Sequence, residues 1–129
     1  MELLPEGQTN KTEVSWEDQQ RINEFSKLIN RKDQFEVELA ELSHEKDYLD
    51  DLSLEIELLD DDEKVNYKLG DTFVLLRHSS VVTRLENDNL VLANKMTALE
   101  NSIEVTQERM NELKNQLYAK FGQSINLDR

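Results

Sequence analysis

The sequence predicts a mainly α fold: an antiparallel two-helix coiled coil joined by one β-hairpin. Three observations predict it. A third of the 129 residues is charged, and only one proline and three glycines interrupt the chain, a composition that suits long helices. Two stretches carry apolar residues at heptad spacing. Between them, two β-rich runs flank Gly70-Asp71, the pattern of a two-residue hairpin turn.

Residues 1–14 are polar, contain the only proline, Pro5, and are expected to form a disordered tail. The folded body is expected over 15–121. Ser15 suits the N-cap of the first helix, because its hydroxyl can accept from a free N–H of the first turn. Glu17 and Asp18 follow where the helix dipole favours negative charge. Leu28, Phe35, Leu42, Leu49 and Ile56 then recur every seven residues, at position d. The matching a positions are mixed: Phe25, Lys32, Leu39, Lys46 and Ser53. A helix from about 16 to 59 is predicted, roughly 65 Å long at ~1.5 Å per residue. Asp60-Asp61-Asp62-Glu63 opposes the dipole at a C-terminus and should end it. That run lacks the alternating ligands and central glycine of a calcium loop, so no metal is expected.

The hairpin is expected at about 65–76. Val65, Tyr67 and Leu69 alternate with polar residues, which is strand period. Gly70 can take the positive φ of a type II′ turn. Pairing across Gly70-Asp71 places Leu69 opposite Thr72 and Tyr67 opposite Val74. Ser79 or Ser80 is expected to cap the second helix. Its a positions are Val82, Asn89, Met96, Ile103, Met110 and Leu117, and its d positions are Leu85, Leu92, Leu99, Thr106, Leu113 and Lys120. Nine of these twelve are apolar, which settles the coiled coil. Asn89 is the kind of buried polar a residue that fixes register at some cost in stability. Gly122 suits a left-handed C′ position, and 122–129 is expected to be a short tail.

Composition excludes several functions. The chain has no cysteine, hence no disulfide framework and no cysteine–zinc site. Its opening residues lack a basic region followed by an apolar run, so no signal peptide is expected. No stretch reaches the ~18 apolar residues of a membrane span. A cytoplasmic location is the expectation. The net charge of −13 is concentrated: residues 33–63 hold fourteen acids and one base, Lys46. That acidity argues against nucleic acid as the main partner, since phosphates demand a basic face. His44 and His78 lie on different elements with no paired nucleophile, and are expected at the surface of a chain that is not an enzyme.

Two features point to assembly and binding. An isolated hairpin is marginal in water and presents two unpaired edges. It could fold back on the coil, but one coil end offers little area to cover a sheet, so pairing with other subunits is expected. The assembly residues are Val65, Tyr67, Leu69, Gly70, Asp71, Phe73, Val74 and Leu75. Where helix one begins and helix two ends, the seam turns polar with Asp18, Arg21 and Lys120. Apolar residues fall off it instead: Trp16, Ile22, Ile29, Tyr118, Phe121, Ile125 and Leu127. Fraying with a hydrophobic staple around Ser15 would account for some. As a group they are too many to be buried within the helix pair and are expected to form an exposed binding surface.

Three stretches lie outside the heptads: Glu17-Asp18-Gln19-Gln20-Arg21-Ile22-Asn23, then Asp60-Asp61-Asp62 with Tyr67-Lys68-Leu69-Gly70-Asp71-Thr72-Phe73, and Leu117-Tyr118-Ala119-Lys120-Phe121-Gly122-Gln123-Ser124-Ile125-Asn126-Leu127. In that order, over residues 16–127, the chain resembles the prefoldin family. One departure is Asn66, where the family often has proline. A single hairpin resembles the β class of subunits, whereas the α class carries two. The resemblance implies a cytosolic heterohexamer of two α-class and four β-class subunits, this chain joining three further β-class partners. It implies that hairpins form the assembled body. It also implies that the coil tips hold unfolded actin and tubulin and pass them, without ATP or other cofactor, to the cytosolic group II chaperonin. The client-binding residues would be Trp16, Ile22, Phe25, Ile29, Leu117, Tyr118, Phe121, Ile125 and Leu127. A coiled-coil tether or scaffold without chaperone activity is the alternative, although a tether does not need a β module.

Fourteen acids near the assembly joint would also repel an identical copy, disfavouring self-association. Neutralising five of them should raise the mass of the lone subunit in light scattering. An unchanged monomer would show that the acids are merely a solvated face.

Overall fold

The structure, a computed structural model, describes residues 2–3, 13–69 and 71–127. The elements run β1 (Glu2–Leu3), α1 (Trp16–Glu57), β2 (Lys64–Leu69), β3 (Thr72–Arg77), α2 (His78–Phe121), a 3₁₀ turn (Gly122–Ser124) and β4 (Ile125–Asn126). Two long helices and the antiparallel hairpin between them match the predicted class. The chain divides into two compact units: residues 38–100, called here the hairpin unit, and residues 1–37 with 101–129, called the terminal unit.

α1 starts as expected at Ser15. The Asp18 N–H donates to Ser15 Oγ at 3.1 Å, and the Ser15 N–H donates back to Asp18 Oδ2 at 3.1 Å. This is a reciprocal capping box that satisfies two donors at once, with Asp in the place of the usual Glu. α1 ends at Glu57, two residues earlier than predicted. Its last turn has no basic residue to answer the carbonyl dipole. It tightens instead into 3₁₀-type bonds, with Leu58 N–H donating to the Glu55 carbonyl and Leu59 N–H to that of Ile56, both at 3.1 Å.

In the hairpin unit, β2 and β3 pair in the predicted register: Tyr67 faces Val74 and Leu69 faces Thr72. Asn66 sits within β2, opposite Leu75. The expected positive φ of Gly70 lies outside the described residues. β3 runs straight into α2 at His78, so Ser79 and Ser80 are not its cap. The adjoining strand end supplies the partner instead, and the His78 N–H donates to the Glu63 carbonyl at 3.1 Å. His78 is half-buried and not the surface residue expected; its Nε2 lies 3.0 Å from the Ile56 carbonyl, which requires that nitrogen to carry the proton. The core joins Leu49, Leu52 and Ile56 of α1, Val65 and Tyr67 of β2, and Val81, Leu85 and Leu92 of α2. Leu52 and Val81 lie one position off the predicted seam. The hairpin adds a third surface, which widens the stripe that each helix can bury.

In the terminal unit, Ile22, Phe25 and Leu28 of α1 pack with Met110, Leu113, Leu117 and Phe121 of α2. Thr106 is buried at its d position and donates its hydroxyl to the Ser102 carbonyl at 2.7 Å. Gly122 has φ +56°, as expected for a C′ residue. Beyond it the chain is not simply a tail. The 3₁₀ turn reverses it, β4 pairs antiparallel with β1, and Ile125 and Leu127 enter the core. Of the predicted N-terminal tail, Glu2 and Leu3 thus form a strand; residues 4–12 lie outside the described residues.

Asn89 is half-buried on the seam of the hairpin unit, and its buried side-chain carbonyl has no hydrogen-bond partner among the described residues. A buried unpaired carbonyl costs about 1–3 kcal/mol. Asn89→Leu should therefore raise stability by about 1 kcal/mol in urea unfolding. A lower urea midpoint would show that the amide contributes more than it costs.

Candidate functional site

The hairpin separates its residues by strand period. Val65 and Tyr67 point inward and are buried, with Leu76 packed against the same core. Tyr67 is 1% exposed, and its hydroxyl donates to the Asp88 carboxylate on α2. Burial first, and that hydrogen bond second, push the phenol's pKa up. Tyr67 thus fastens β2 to α2. The expectation that the hairpin would be spared from folding back on the coil is corrected here: its inner face supplies an apolar layer that the helices lack, and Val65 and Tyr67 belong to the subunit's own core. Nothing in the heptad pattern marked Asp88 as the partner of Tyr67, because the two lie twenty-one residues apart.

The outer face is different. Phe73 is 61% and Leu75 58% exposed, whereas Val74 between them is half-buried and shares the inner face with its partner Tyr67. Register places Lys68 opposite Phe73, Asn66 opposite Leu75, and Lys64 opposite Arg77. Like charges directly across a strand pair repel. None of these three cations makes an ion pair among the described residues. The result is an apolar strip with a basic rim. β2 and β3 form a two-stranded sheet, so each keeps an outer edge unpaired among the described strands. Asp71 is exposed at the turn.

The terminal unit brings together most of the second predicted cluster, but by burying it. Ile22, Phe25, Leu117, Phe121, Ile125 and Leu127 are all core residues, and Ile29 and Tyr118 pack against them. Only Trp16 stands out of that cluster, at 73% exposure. The expectation that these side chains outnumber what the unit can cover is therefore corrected. The reversal at Gly122 brings Ile125 and Leu127 back across the helices, a covering layer that the helix pair alone could not supply. The Leu127 N–H donates to Tyr118 Oη at 2.9 Å and anchors the returning segment.

The polar seam is an ion-pair network. Asp18 is 2% exposed; it accepts from Lys120 on α2 and from Arg21 at 3.1 Å. The Lys120 hydrogen bond, outweighing burial, holds its carboxyl down at about 2. Glu24 is also held low, chiefly by the two-pronged hydrogen bond from Arg109, at 2.7 and 2.8 Å. These pairs align the helices through charge-assisted bonds of fixed geometry.

A two-helix coiled coil carrying one antiparallel hairpin between its helices defines a class of hairpin-bearing coiled-coil subunits. The family model described as "Prefoldin subunit" matches residues 19–124, and the chain belongs to that family of co-chaperone subunits. It is 55% identical to Prefoldin subunit 4 of Saccharomyces cerevisiae over the full length of both chains. It is 38% identical to Prefoldin subunit 4 of Homo sapiens, over 89% of this chain and 87% of that protein. Its fold is similar to that of the prefoldin beta subunit from Thermococcus strain KS-1, with a TM-score of 0.73 at 19% identity over 86% of this chain and 97% of that one. Among the described residues, no helix is long and apolar enough to cross a membrane.

A carboxyl held near 2 in the folded chain binds its proton more readily in the unfolded chain, where it titrates near 3.9. The stability contributed by Asp18 is thus complete above about pH 4 and is lost as pH falls towards 2. Thermal melts at pH 6 and at pH 2.5 should show a wide gap between wild type and Asp18→Asn at the higher pH that narrows at the lower. A gap that does not change with pH would exclude this carboxylate as the source.

Proposed function

We propose that this chain is a β-class subunit of a cytosolic prefoldin heterohexamer, with two α-class and three further β-class partners. It is a binding protein without catalytic activity. In this reading the hexamer captures unfolded proteins, actin and tubulin among them, at its coil tips without ATP and delivers them to the group II chaperonin.

The carrying observation is the outer face of the hairpin: Phe73 and Leu75 are exposed on strands with unpaired edges. An exposed apolar strip beside free backbone donors and acceptors is a template for strand addition. Covering both side chains would supply about 1.5–3 kcal/mol each, on top of the new backbone bonds. The buried Val65 and Tyr67 act indirectly, by holding the hairpin in place. Client capture is supported by Trp16, the most exposed of the large apolar side chains described in the terminal unit, where Val14, Val37 and Val105 are exposed as well. One such contact, at ~25 cal/mol per Å², gives weak and reversible binding. Several tips acting on one client raise affinity through effective concentration, without a tight single contact. That combination suits a protein that must also release.

The test combines co-assembly and holding. Phe73→Asp with Leu75→Asp should remove the chain from the complex formed with its partner subunits, read by native mass, while leaving its helical circular dichroism unchanged. The wild-type complex should suppress light scattering by dilute unfolded actin. Normal co-assembly of the double variant would refute the joint. A wild-type complex that assembles without suppressing scattering would favour the tether.

A further inference from the structure

One side of the coil in the hairpin unit is left open. Val91 and Ala98 lie seven residues apart on α2 and are both exposed, Val91 at 52%. Each directly precedes a d residue, Leu92 or Leu99, and so occupies a c position. The apolar stripe of α2 is therefore wider here than one seam requires. Two hollows open beside it, with volumes of about 170 and 410 Å³. Leu49, Val91 and Leu92 line the first, and Leu42, Ala98 and Leu99 the second. Lys95 borders both and joins them into one groove. From Leu42 to Leu49 the groove covers two helical turns of α1, ~10 Å at ~1.5 Å per residue. Its α1 rim is Glu38, Glu41 and Glu45. None of these carboxylates makes an ion pair among the described residues. The α2 rim is mixed: Asp88, already bonded to Tyr67, and Lys95.

We propose that this groove docks one amphipathic α-helix of another protein, with apolar residues at i, i+3 or i+4, and i+7, and with lysine or arginine along the flank that meets α1. Spacing selects a helix. Leu42 and Leu49, and Leu92 and Leu99, repeat every seven residues, and the hollows between them accept side chains of the same period. A strand, with its two-residue period, would not keep step with them. Charge selects the flank, because three unpaired glutamates on one rim favour cations and penalise acids. The α1 of a second copy would bring acids against acids, since residues 33–63 carry a single base. The docked helix touches neither Phe73 and Leu75 nor Trp16, so loss of the hairpin joint or of client capture would leave this surface standing.

The probe is a dye-labelled helical peptide of about 18 residues, ~five turns, with a leucine stripe, lysine along one flank and alanine elsewhere. It is titrated against the full chain by fluorescence polarisation. One control peptide carries glutamate in place of lysine, and another keeps the lysines but carries serine in place of leucine. The lysine peptide should bind about tenfold more tightly than the glutamate peptide, and the serine peptide should not bind. Glu38→Gln with Glu45→Gln should weaken the lysine peptide about tenfold. Asp47→Asn with Asp51→Asn removes the same charge from exposed positions that line neither hollow, and should leave binding unchanged. Ala98→Gln fills the larger hollow with an uncharged polar side chain at an exposed helical position, and should weaken the probe about fivefold or more. Equal weakening by the two charge-removing pairs would reduce the attraction to net charge and overturn the groove. Binding that Ala98→Gln does not change would overturn it as well. If Ala98→Gln loses helical circular dichroism, the two charge-removing pairs decide alone. A wild-type dimer in native mass that Ala98→Gln abolishes would make a second copy the occupant and refute the basic helix.

Discussion

Two helices lying side by side bury one seam and leave the rest of their surface in water. That limit governs each unit of this chain, because a seam with lysines at two of its a positions cannot exclude enough apolar area by itself. Each unit answers it with a third layer. In the hairpin unit the layer is the inner face of β2 and β3, with Val65 and Tyr67 set on Leu49, Ile56, Val81 and Leu85. In the terminal unit it is the segment after Gly122, with Ile125 and Leu127 set on Phe25, Leu28, Met110 and Leu113. Each fully buried side chain of this size contributes about 1.5–3 kcal/mol, so either layer is large beside the net stability of a small domain, about 5–15 kcal/mol.

Each added layer is also fixed by a tyrosine hydroxyl, used in opposite senses. Tyr67 lies in the added layer and donates to Asp88 on the helix. Tyr118 lies on the helix and accepts from the Leu127 N–H of the added layer. The first is a bond to a charged acceptor beside a buried ring, of the kind worth about 1.5–3 kcal/mol. The second is a neutral bond, worth about 0.5–1.5 kcal/mol. Of the two tyrosine bonds, the one that fastens the hairpin is therefore the stronger.

Local features were legible in the sequence. The Ser15 cap, the hairpin register and the left-handed Gly122 each depend on a few adjacent residues whose backbone preferences are strong. The seam was legible from its seven-residue period. What escaped depends on contacts between residues far apart in the chain. Ile125 and Leu127 have the composition of exposed tail residues until the turn before them folds them onto Phe25. Leu52 and Val81 lie off the heptad seam and become core because the hairpin lies against them. Ser79 and Ser80 carry the right side chains for a cap, but the strand reaches His78 without a loop, and Glu63 supplies the acceptor. In each case a tertiary neighbour replaced the local partner that periodicity suggested.

The outer hairpin face shows why the inner one is not the whole purpose of the β module. A layer needed only to cover the core would carry polar residues outward, as a half-solvated antiparallel sheet does. Here the outward positions include Phe73 and Leu75, at a cost in solubility that a monomer has no reason to bear. The remaining outward charges are Lys64, Lys68 and Arg77, all of one sign. Two copies of this face would bring cations against cations, whereas a neighbour offering apolar and acidic groups would meet both needs. Residues 33–63 show the matching asymmetry, with fourteen acids and a single base. Like faces of two copies would thus repel, acids against acids along the helix and cations against cations on the strand face. The physical pattern favours unlike neighbours, as the proposed heteromeric assembly requires.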